Sequence, residues 1–504
     1  MSPYTIVPLF TRFAQHALRA SLWLVLLAVV TFTKTDPDLW GHVRFGMDII
    51  RDAHIVQADT YSFTSDREWV NHEWAAEVLS GAAFLVAGNA GLVALKLLIV
   101  CGVLAMLNAT LRSEGVGDPR HRDLLLFGAV VTTIQQTLYV RPQLFSLLFF
   151  SALMLCLTRG LRDRRYLLAL PPIFCAWANS HGGWIVGGGA LIVWISGLVS
   201  SRAYGPGVAA RYTAAGVFSL AAAIINPHGL GLVAFLRDTV GFGRADIVDW
   251  QPIYALGPAI WALWIVTAML AAAGLVGLFR AGVRIERVLV VVALGIGSFQ
   301  VNRLLAFFAL ATFFLLGPSL AATLSRPGRI GGRVHGRAKA LMAATVAFLL
   351  SAGALRAAAA NTACVQVDAP ATPEPGAVAF LKEHAARGRL LVWFDWGQYA
   401  LWHLSPDLKV SVDGRRETVY SDRVQDRHLR FFFDAAGGND LPSELDADYL
   451  WLPRWLPAVR SLRTGGWTAI YEGERSVIFA RAPVPQRLPP APQFATARRC
   501  FPSR

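Results

Sequence analysis

Long apolar runs of about 16–22 residues, separated by short polar segments, recur from Ala17 to Ala357, and beyond Asn361 the pattern changes to short stretches of ordinary polarity. Crossing the hydrocarbon core of a bilayer takes about 20 apolar residues of helix, so these runs read as membrane spans. About eleven are discernible, at roughly 17–35, 90–111, 123–140, 143–158, 166–179, 183–201, 212–226, 258–279, 287–300, 303–323 and 340–358. The pattern predicts an α-helical polytopic membrane domain over residues 1–360. No small-x-small cleavage site follows the first run; the chain continues Lys34-Thr35-Asp36-Pro37-Asp38, which predicts a retained helix.

Two further patterns refine this outline. The long loop 36–89 carries helical spacing from Asp38 to Asp52, with apolar residues at Leu39, Val43, Met47 and Ile50. That spacing predicts a helix in the membrane interface, with Trp40 and Phe45 at headgroup depth. A second helix, capped at Asn71 or the residue before it, is expected to run through Val86. Residues 361–482 predict a small soluble α/β domain. Its first helix begins after Thr372-Pro373-Glu374-Pro375 and runs to Ala386, with Gly388 beyond its end. Strands are expected at 389–394, 409–412, 449–452, 467–471 and 476–480, the last two forming a hairpin across Glu472-Gly473-Glu474, and 422–435 suits a helix. From Pro483 to Arg504 the chain is proline-rich and expected to be extended.

Composition excludes several classes. The 504 residues are 55% hydrophobic and 16% charged, with mean hydropathy +0.45, against about 45–50% and about 25% in soluble domains. A soluble enzyme, a disordered chain and a collagen-like fibre do not fit. The net charge of +14 does not point to nucleic acid, because the basic residues cluster in alternate short loops: Arg112, Arg120 and Arg122; Arg159, Arg162, Arg164 and Arg165; Arg202 and Arg211; Arg280, Arg284 and Arg287; and Arg326, Arg329, Arg333, Arg337 and Lys339. With Arg12 and Arg19 these define a cytoplasmic side by the positive-inside rule. The N-terminus is then cytoplasmic and the C-terminal domain lies outside.

The opposite loops hold the chemistry: Asp36-Pro37-Asp38-Leu39-Trp40-Gly41-His42, Asn71-His72-Glu73-Trp74, Arg141-Pro142-Gln143, Asn179-Ser180-His181-Gly182-Gly183, Asn226-Pro227-His228-Gly229 and Gln300-Val301-Asn302-Arg303. Carboxylates, imidazoles, amides and guanidiniums from distant parts of the chain converge on one membrane face, which marks a candidate site. Asp36-x-Asp38 can hold a divalent metal or supply a general base, and it is equally a good helix start. Arg141 and Arg303 sit at outer span ends, where guanidiniums also serve as interfacial anchors, and Arg44 is a weaker candidate. His42, His72 and Glu73 are open to a metal or second-site role, although no His-x-x-x-His spacing occurs. His181 beside Asn179 is a further candidate or a helix cap, and His228 reads as a turn residue. In the soluble domain Asp395, Asp413 and Arg415 follow predicted strands, where α/β sheets bind ligands and where turn residues and ion pairs also occur.

These residues resemble the GT-C superfamily, polytopic glycosyltransferases that use polyprenyl-phosphate sugars. Within it the chain is similar to a bacterial group carrying Asp-Pro-Asp-Leu-Trp (36–40), His-Glu-Trp (72–74), Arg-Pro-Gln (141–143), Trp-x-Asn-x-His-Gly (177–182), Asn-Pro-x-Gly (226–229) and Val-Asp-Gly-Arg (412–415). The resemblance implies a GT-C-like fold of about 11 transmembrane helices with the soluble α/β domain outside, and an inverting transfer at the outer leaflet. Asp36 or Asp38 would be the base, the donor a polyprenyl-phosphate-linked sugar, and the acceptor a glycan, lipid or protein. Arg141 and Arg303, with Arg44 as a weaker candidate, would meet the donor phosphate, and His181 beside Asn179 could bond a sugar hydroxyl. The resemblance also implies a bacterial inner membrane, with the C-terminal domain periplasmic or extracellular. It leaves a divalent cation, Mg or Mn, open and names no other cofactor. The rival readings are a catalytically inactive component of polysaccharide or lipid assembly, and a lipid or solute transporter. Against transport, no inverted repeat is evident and no charge is read at mid-span.

Of the five cysteines, Cys101, Cys156 and Cys175 fall in apolar runs. Cys364 and Cys500 lie in the expected outer region, where an oxidising compartment permits pairing, but nothing in the sequence fixes their distance.

Overall fold

The computed structural model describes residues 3–201, 203–240, 247–324, 337–367, 372–435, 438, 440–481 and 499–503. The loop residues Arg202, Arg326, Arg329 and Arg333 and most of the proline-rich stretch 483–504 lie outside the described residues. The membrane part consists of α1 (Pro3–Thr31), α2 (Leu39–Asp52), α3 (Trp74–Ser113), α4 (Pro119–Thr132), α5 (Ile134–Thr137), α6 (Gln143–Gly160), α7 (Leu170–Ala178), α8 (Trp184–Ser200), α9 (Pro206–Ala222), α10 (Gly231–Val240), α11 (Pro258–Ala281), α12 (Ile285–Gln300), α13 (Leu305–Leu324) and α14 (Arg337–Thr362). Each predicted span falls on helical backbone, although 123–140 is broken between α4 and α5 at Thr133 and 166–179 opens in a 3₁₀ turn, Arg164–Ala169. By length and composition, five helical stretches among the described residues suffice to cross a bilayer, at Trp74–Ser113, Gln143–Gly160, Pro258–Ala281, Asn302–Leu324 and Leu341–Thr362. The chain is a multi-pass membrane protein. The helix α10 follows the Asn226–Gly229 turn and was not expected from the sequence.

The two helices read around 71–111 are continuous. They join at Ala87 and Gly88, which leave helical geometry, and Gly88 has φ +56°, a conformation glycine adopts without steric cost. The backbone break turns a surface helix into a membrane helix without a loop. Within the predicted span 90–111 lies Lys96, fully buried, which corrects the expectation of no charge at mid-span. Its Nζ donates to the Phe32 carbonyl at 2.8 Å. Phe32 follows α1, whose last carbonyls have no intrahelical donor, so Lys96 caps that end. The charge has a structural partner there.

The soluble domain begins with α15 (Pro375–Glu383) and contains β1 (Gly388–Val392), α16 (Phe394–Leu404), β2 (Leu408–Val410), α17 (Asp422–Phe432), β3 (Tyr449–Pro453), β4 (Trp467–Glu472) and β5 (Ser476–Arg481). The sheet order is β2-β1-β3-β5-β4. β2, β1 and β3 are parallel, and the β4–β5 hairpin adds antiparallel strands beside β3. Leu390, Leu391, Val392, Leu450, Trp451 and Leu452 are fully buried, as strands covered on both faces require.

This domain is fused to the loop 36–73, and here the interfacial placement of α2 needs correction. Trp40 and Phe45 are buried against the soluble domain and not at headgroup depth. Trp40 meets Tyr399 and Phe501, with ring centroids at 5.1 and 5.4 Å, and its Nε1 donates to the Pro502 carbonyl at 2.9 Å. The apolar stripe of α2 finds protein to bury against, and only Ile50 is left 40% exposed. Gly46 of α2 and Gly81 of α3 allow backbone contact between these helices; a Cβ on Gly46 would lie 1.8 Å from the Glu77 carbonyl oxygen. The chain end returns to the same core. Phe501 is buried there, and a Cys364–Cys500 disulfide ties it to the segment leaving α14. The pairing the sequence left open is made.

Candidate active site at one end of the bundle

The Asp36 loop is held by a set of isolated backbone bridges. Lys34 pairs in parallel with Tyr139 and with Gln366, and Gln366 pairs with Cys500. Side chains on extended backbone repeat every two residues. Two residues beyond Lys34 is Asp36, and two beyond Tyr139 is Arg141, so the register sets these side by side. Asp36 Oδ2 lies 3.7 Å from Arg141 Nη1, and the same Nη1 lies 3.1 Å from Asp249 Oδ2. Arg141 Nη2 donates to Gln136 Oε1 at 3.1 Å, and its guanidinium sits 5.1 Å from the Tyr139 ring centroid. Three atoms in this arrangement have no hydrogen-bond partner although all are buried: the acceptor Asp36 Oδ1 and the donors Arg141 Nε and Gln136 Nε2. A buried polar atom without a partner calls for an explanation, and a bound ligand is one.

Burial raises the Asp36 carboxyl to about 6, Arg141 opposing the rise and Asp38 adding to it. Asp38 is raised for the same first reason, with His42 and Arg416 opposing and Asp413 reinforcing. Asp38 occupies the N-cap position of α2, yet its side chain makes no capping bond. Its Oδ1 packs on Gly414 of the soluble domain, where a Cβ would come within 1.8 Å. Gln398 of α16 closes this junction, its Oε1 accepting the Gly41 N–H at 3.0 Å.

A second network lies alongside. His42 Nδ1 faces Glu77 Oε1 at 3.3 Å and Glu73 Oε2 at 4.0 Å, and Asn71 donates to Glu77 Oε2 at 2.6 Å. Burial opposes a charge on His42, but Glu77, Glu73 and Asp38 outweigh it and hold the imidazole up at about 9. Glu73 Oε1 also lies 3.7 Å from His72 Nε2 and 3.6 Å from His181 Nε2. His181 is buried, bonded through Nδ1 to Ser146 Oγ at 2.6 Å and to the Gly183 N–H at 3.0 Å. Burial and the neighbouring Arg303, whose Nη2 is 2.8 Å from Nε2, push it well below its ordinary value, so it is neutral. Among the described residues no group of three or more His, Cys, Asp and Glu is arranged to hold a metal ion.

The structure thus gathers Asp36, Asp38, His42, His72, Glu73, Arg141, His181 and Arg303. Arg44 is used locally, donating to Asp48 at 2.8 Å. Asn179 is a brace: its Nδ2 donates to the carbonyls of Cys175 and Ile225, and its Oδ1 accepts from Trp74 Nε1. Asp413 and Arg415 satisfy each other at 2.7 Å, and Arg415 also binds Asp59 at 2.7 Å inside a cage of Phe45, Tyr61 and Trp69. That buried pair joins the long loop to the soluble domain. Asp395 sits in the first turn of α16 with Trp393 Nε1 donating to it at 3.3 Å. His228 holds a turn through the Asn71 carbonyl at 3.2 Å. Asp249, Glu77, Ser146 and Gln398 were missed by the sequence reading. Asp249 is an isolated acid in a loop with no motif around it; Glu77 lies one helical turn after the flagged Glu73 and could have been found by that spacing.

The fold is that of the GT-C membrane glycosyltransferases. Among solved structures, ArnT from Cupriavidus metallidurans in the apo state is similar at TM-score 0.55 and 10% identity, over 93% of this chain and 98% of that one. ArnT bound to undecaprenyl phosphate gives TM-score 0.54 and 12% identity, over 94% and 100%. The arabinofuranosyltransferase AftD from Mycobacteria gives TM-score 0.50 and 17% identity over 93% of this chain, which spans 40% of AftD's length. No protein-family profile and no curated protein matches the chain.

Proposed function

We propose that this protein is an inverting glycosyltransferase that moves a sugar from a polyprenyl-phosphate donor to an acceptor hydroxyl at the outer leaflet of a bacterial inner membrane. The observation that carries the reading is the pair of unpartnered buried atoms, Asp36 Oδ1 and Arg141 Nε, in one site. An acceptor hydroxyl donates to the first, and a phosphate oxygen accepts from the second. Asp36 takes the hydroxyl proton as that oxygen bonds to the sugar's anomeric carbon. The bond from that carbon to the phosphate oxygen breaks, and the polyprenyl phosphate leaves with the electron pair. Arg141 and Arg303 neutralise its charge. A carboxyl held at about 6 is ionised at neutral pH and still basic enough to accept a proton. Neutral His181 adds no second positive charge beside Arg303.

The test is mass spectrometry of lipids co-purifying with the protein, then a transfer assay using the lipid found. A polyprenyl phosphate or its sugar ester is expected, with turnover onto an added acceptor. Only bulk phospholipid, with no transfer from polyprenyl-phosphate sugars, defeats the reading. Orientation has its own check. Loops rich in arginine meet at the end away from Asp36, where Glu114 binds Arg162 and Arg287 at 3.2 and 2.7 Å. With that end cytoplasmic, a cysteine replacing the exposed Ser443 should react with an impermeant reagent on whole cells. Labelling only after the inner membrane is opened reverses the topology.

A further inference from the structure

The parallel strands β1, β2 and β3 end at one edge of the sheet, and a group of aromatic and charged residues lies just past those ends. β1 leads into Trp393, Phe394 and Asp395; β2 leads to Arg416; β3 leads to Trp455. Open α/β sheets bind their ligands at this carboxyl edge. Trp393 is a buried hub, with ring centroids of Phe394, Trp455 and Phe433 at 4.2, 5.4 and 6.2 Å. Trp455 and Phe433 are 64% and 50% exposed, and they are the only exposed large hydrophobics among the described residues of the domain. Scattered exposed apolar residues need no explanation, but two that meet on one hub form a patch.

Polar groups border the rings. The Arg416 guanidinium lies 4.2 Å from the Phe394 ring centroid, and Arg416 is held at φ +41°, which an L-residue adopts at a cost. Gly414, two residues earlier, packs on Asp38, so this edge is continuous with the acidic loop. A sugar ring has C–H faces that stack on aromatic rings and hydroxyls that bond to charged groups at the rim. A lipid tail would need no such rim. We propose that this edge binds the acceptor as a saccharide, its rings stacked on Trp455 and Phe433 and its hydroxyls held by Arg416 and Asp395. The word acceptor rests on the transferase reading above; the sugar site itself does not.

The test uses the full-length protein in detergent, without donor, and end-labelled hexasaccharides of arabinofuranose, mannose and glucose, read by fluorescence anisotropy. At least one should bind. Trp455→Ala should weaken it about tenfold or more, as truncation of an aromatic anchor does. Trp455→Phe should restore most of the affinity. No binding of any of the three, or unchanged binding by Trp455→Ala, overturns the proposal. So does a bilayer role, seen as Trp455-dependent fluorescence quenching by brominated phosphatidylglycerol in proteoliposomes with no sugar bound. Sugar binding by a parent that transfers nothing would leave this site standing and remove the transferase reading.

Discussion

Asp36→Asn is expected to lower sugar transfer by about 10²–10⁴-fold, the usual contribution of a general base, while the protein folds and inserts normally. Asparagine keeps the size of the side chain and its amide can still meet Arg141's neighbours, so the loss isolates the charge. The pH dependence follows from the same group. Asp36 must be ionised to accept a proton, and burial sets its carboxyl at about 6. Transfer by the parent should therefore be flat above pH 7 and fall about tenfold per pH unit below 6. Stability moves the other way. A folded-state value above the ordinary 3.8 means that the native state binds the proton more tightly than the unfolded chain does. Stability is then lost as pH rises through the window from 3.8 to about 6 and stays reduced above it. Ionising Asp36 therefore costs stability at neutral pH, and the asparagine variant avoids that cost. Its thermal midpoint in detergent at pH 7.5 should equal or exceed the parent's. A variant that keeps near-normal transfer, with Asp38→Asn doing the same, would make the acidic pair structural and leave the proposed reaction without a base.

The outline of this molecule was legible because its two solvents impose different patterns. Long apolar runs mark where the membrane helices lie, although α1 and α3 begin well before the predicted spans, and the strands of the soluble domain fall where short β-rich stretches stand between turn residues. The convergence of Asp36, Glu73, Arg141, His181 and Arg303 was also legible, since alternate loops must meet at one end of a bundle. What the pattern could not give was the partner of each surface. The stripe on α2 reads equally as a membrane face or a protein face, because lipid and a protein core are both apolar. Only the return of Phe501 and the packing of Tyr399 decide it. Arg415 has the composition of a ligand-binding residue, and its enclosure by Asp59 and three rings depends on a segment some 350 residues away. Asp249 was hidden for a simpler reason. A single carboxylate in an irregular loop carries no period, and its role exists only through Arg141.

That dependence gives the second large effect. Arg141→Gln should reduce transfer by about 10²–10³-fold, as loss of a group stabilising developing charge does. It should also move the acid limb of the pH profile upward from about 6, because Arg141 is the main charge holding Asp36 down. The single variant carries a risk of misfolding. Asp36 and Asp249 lie at 3.7 and 3.1 Å from the same guanidinium nitrogen, and removing one partner of a buried charge pair costs about 3–5 kcal/mol. The double variant Arg141→Gln with Asp249→Asn removes a positive and a negative charge together, so it should recover expression and thermal midpoint. It should not recover transfer, since the guanidinium that meets the phosphate is still missing. Asp249→Asn alone leaves Arg141 to Asp36, which lowers the Asp36 carboxyl and shifts the acid limb downward with a modest loss of rate. Opposite shifts in the two single variants identify Arg141 as the link between the carboxylates. If the double variant transfers sugar like the parent, Arg141 serves only to balance Asp249, and the donor phosphate must be held by Arg303 without it.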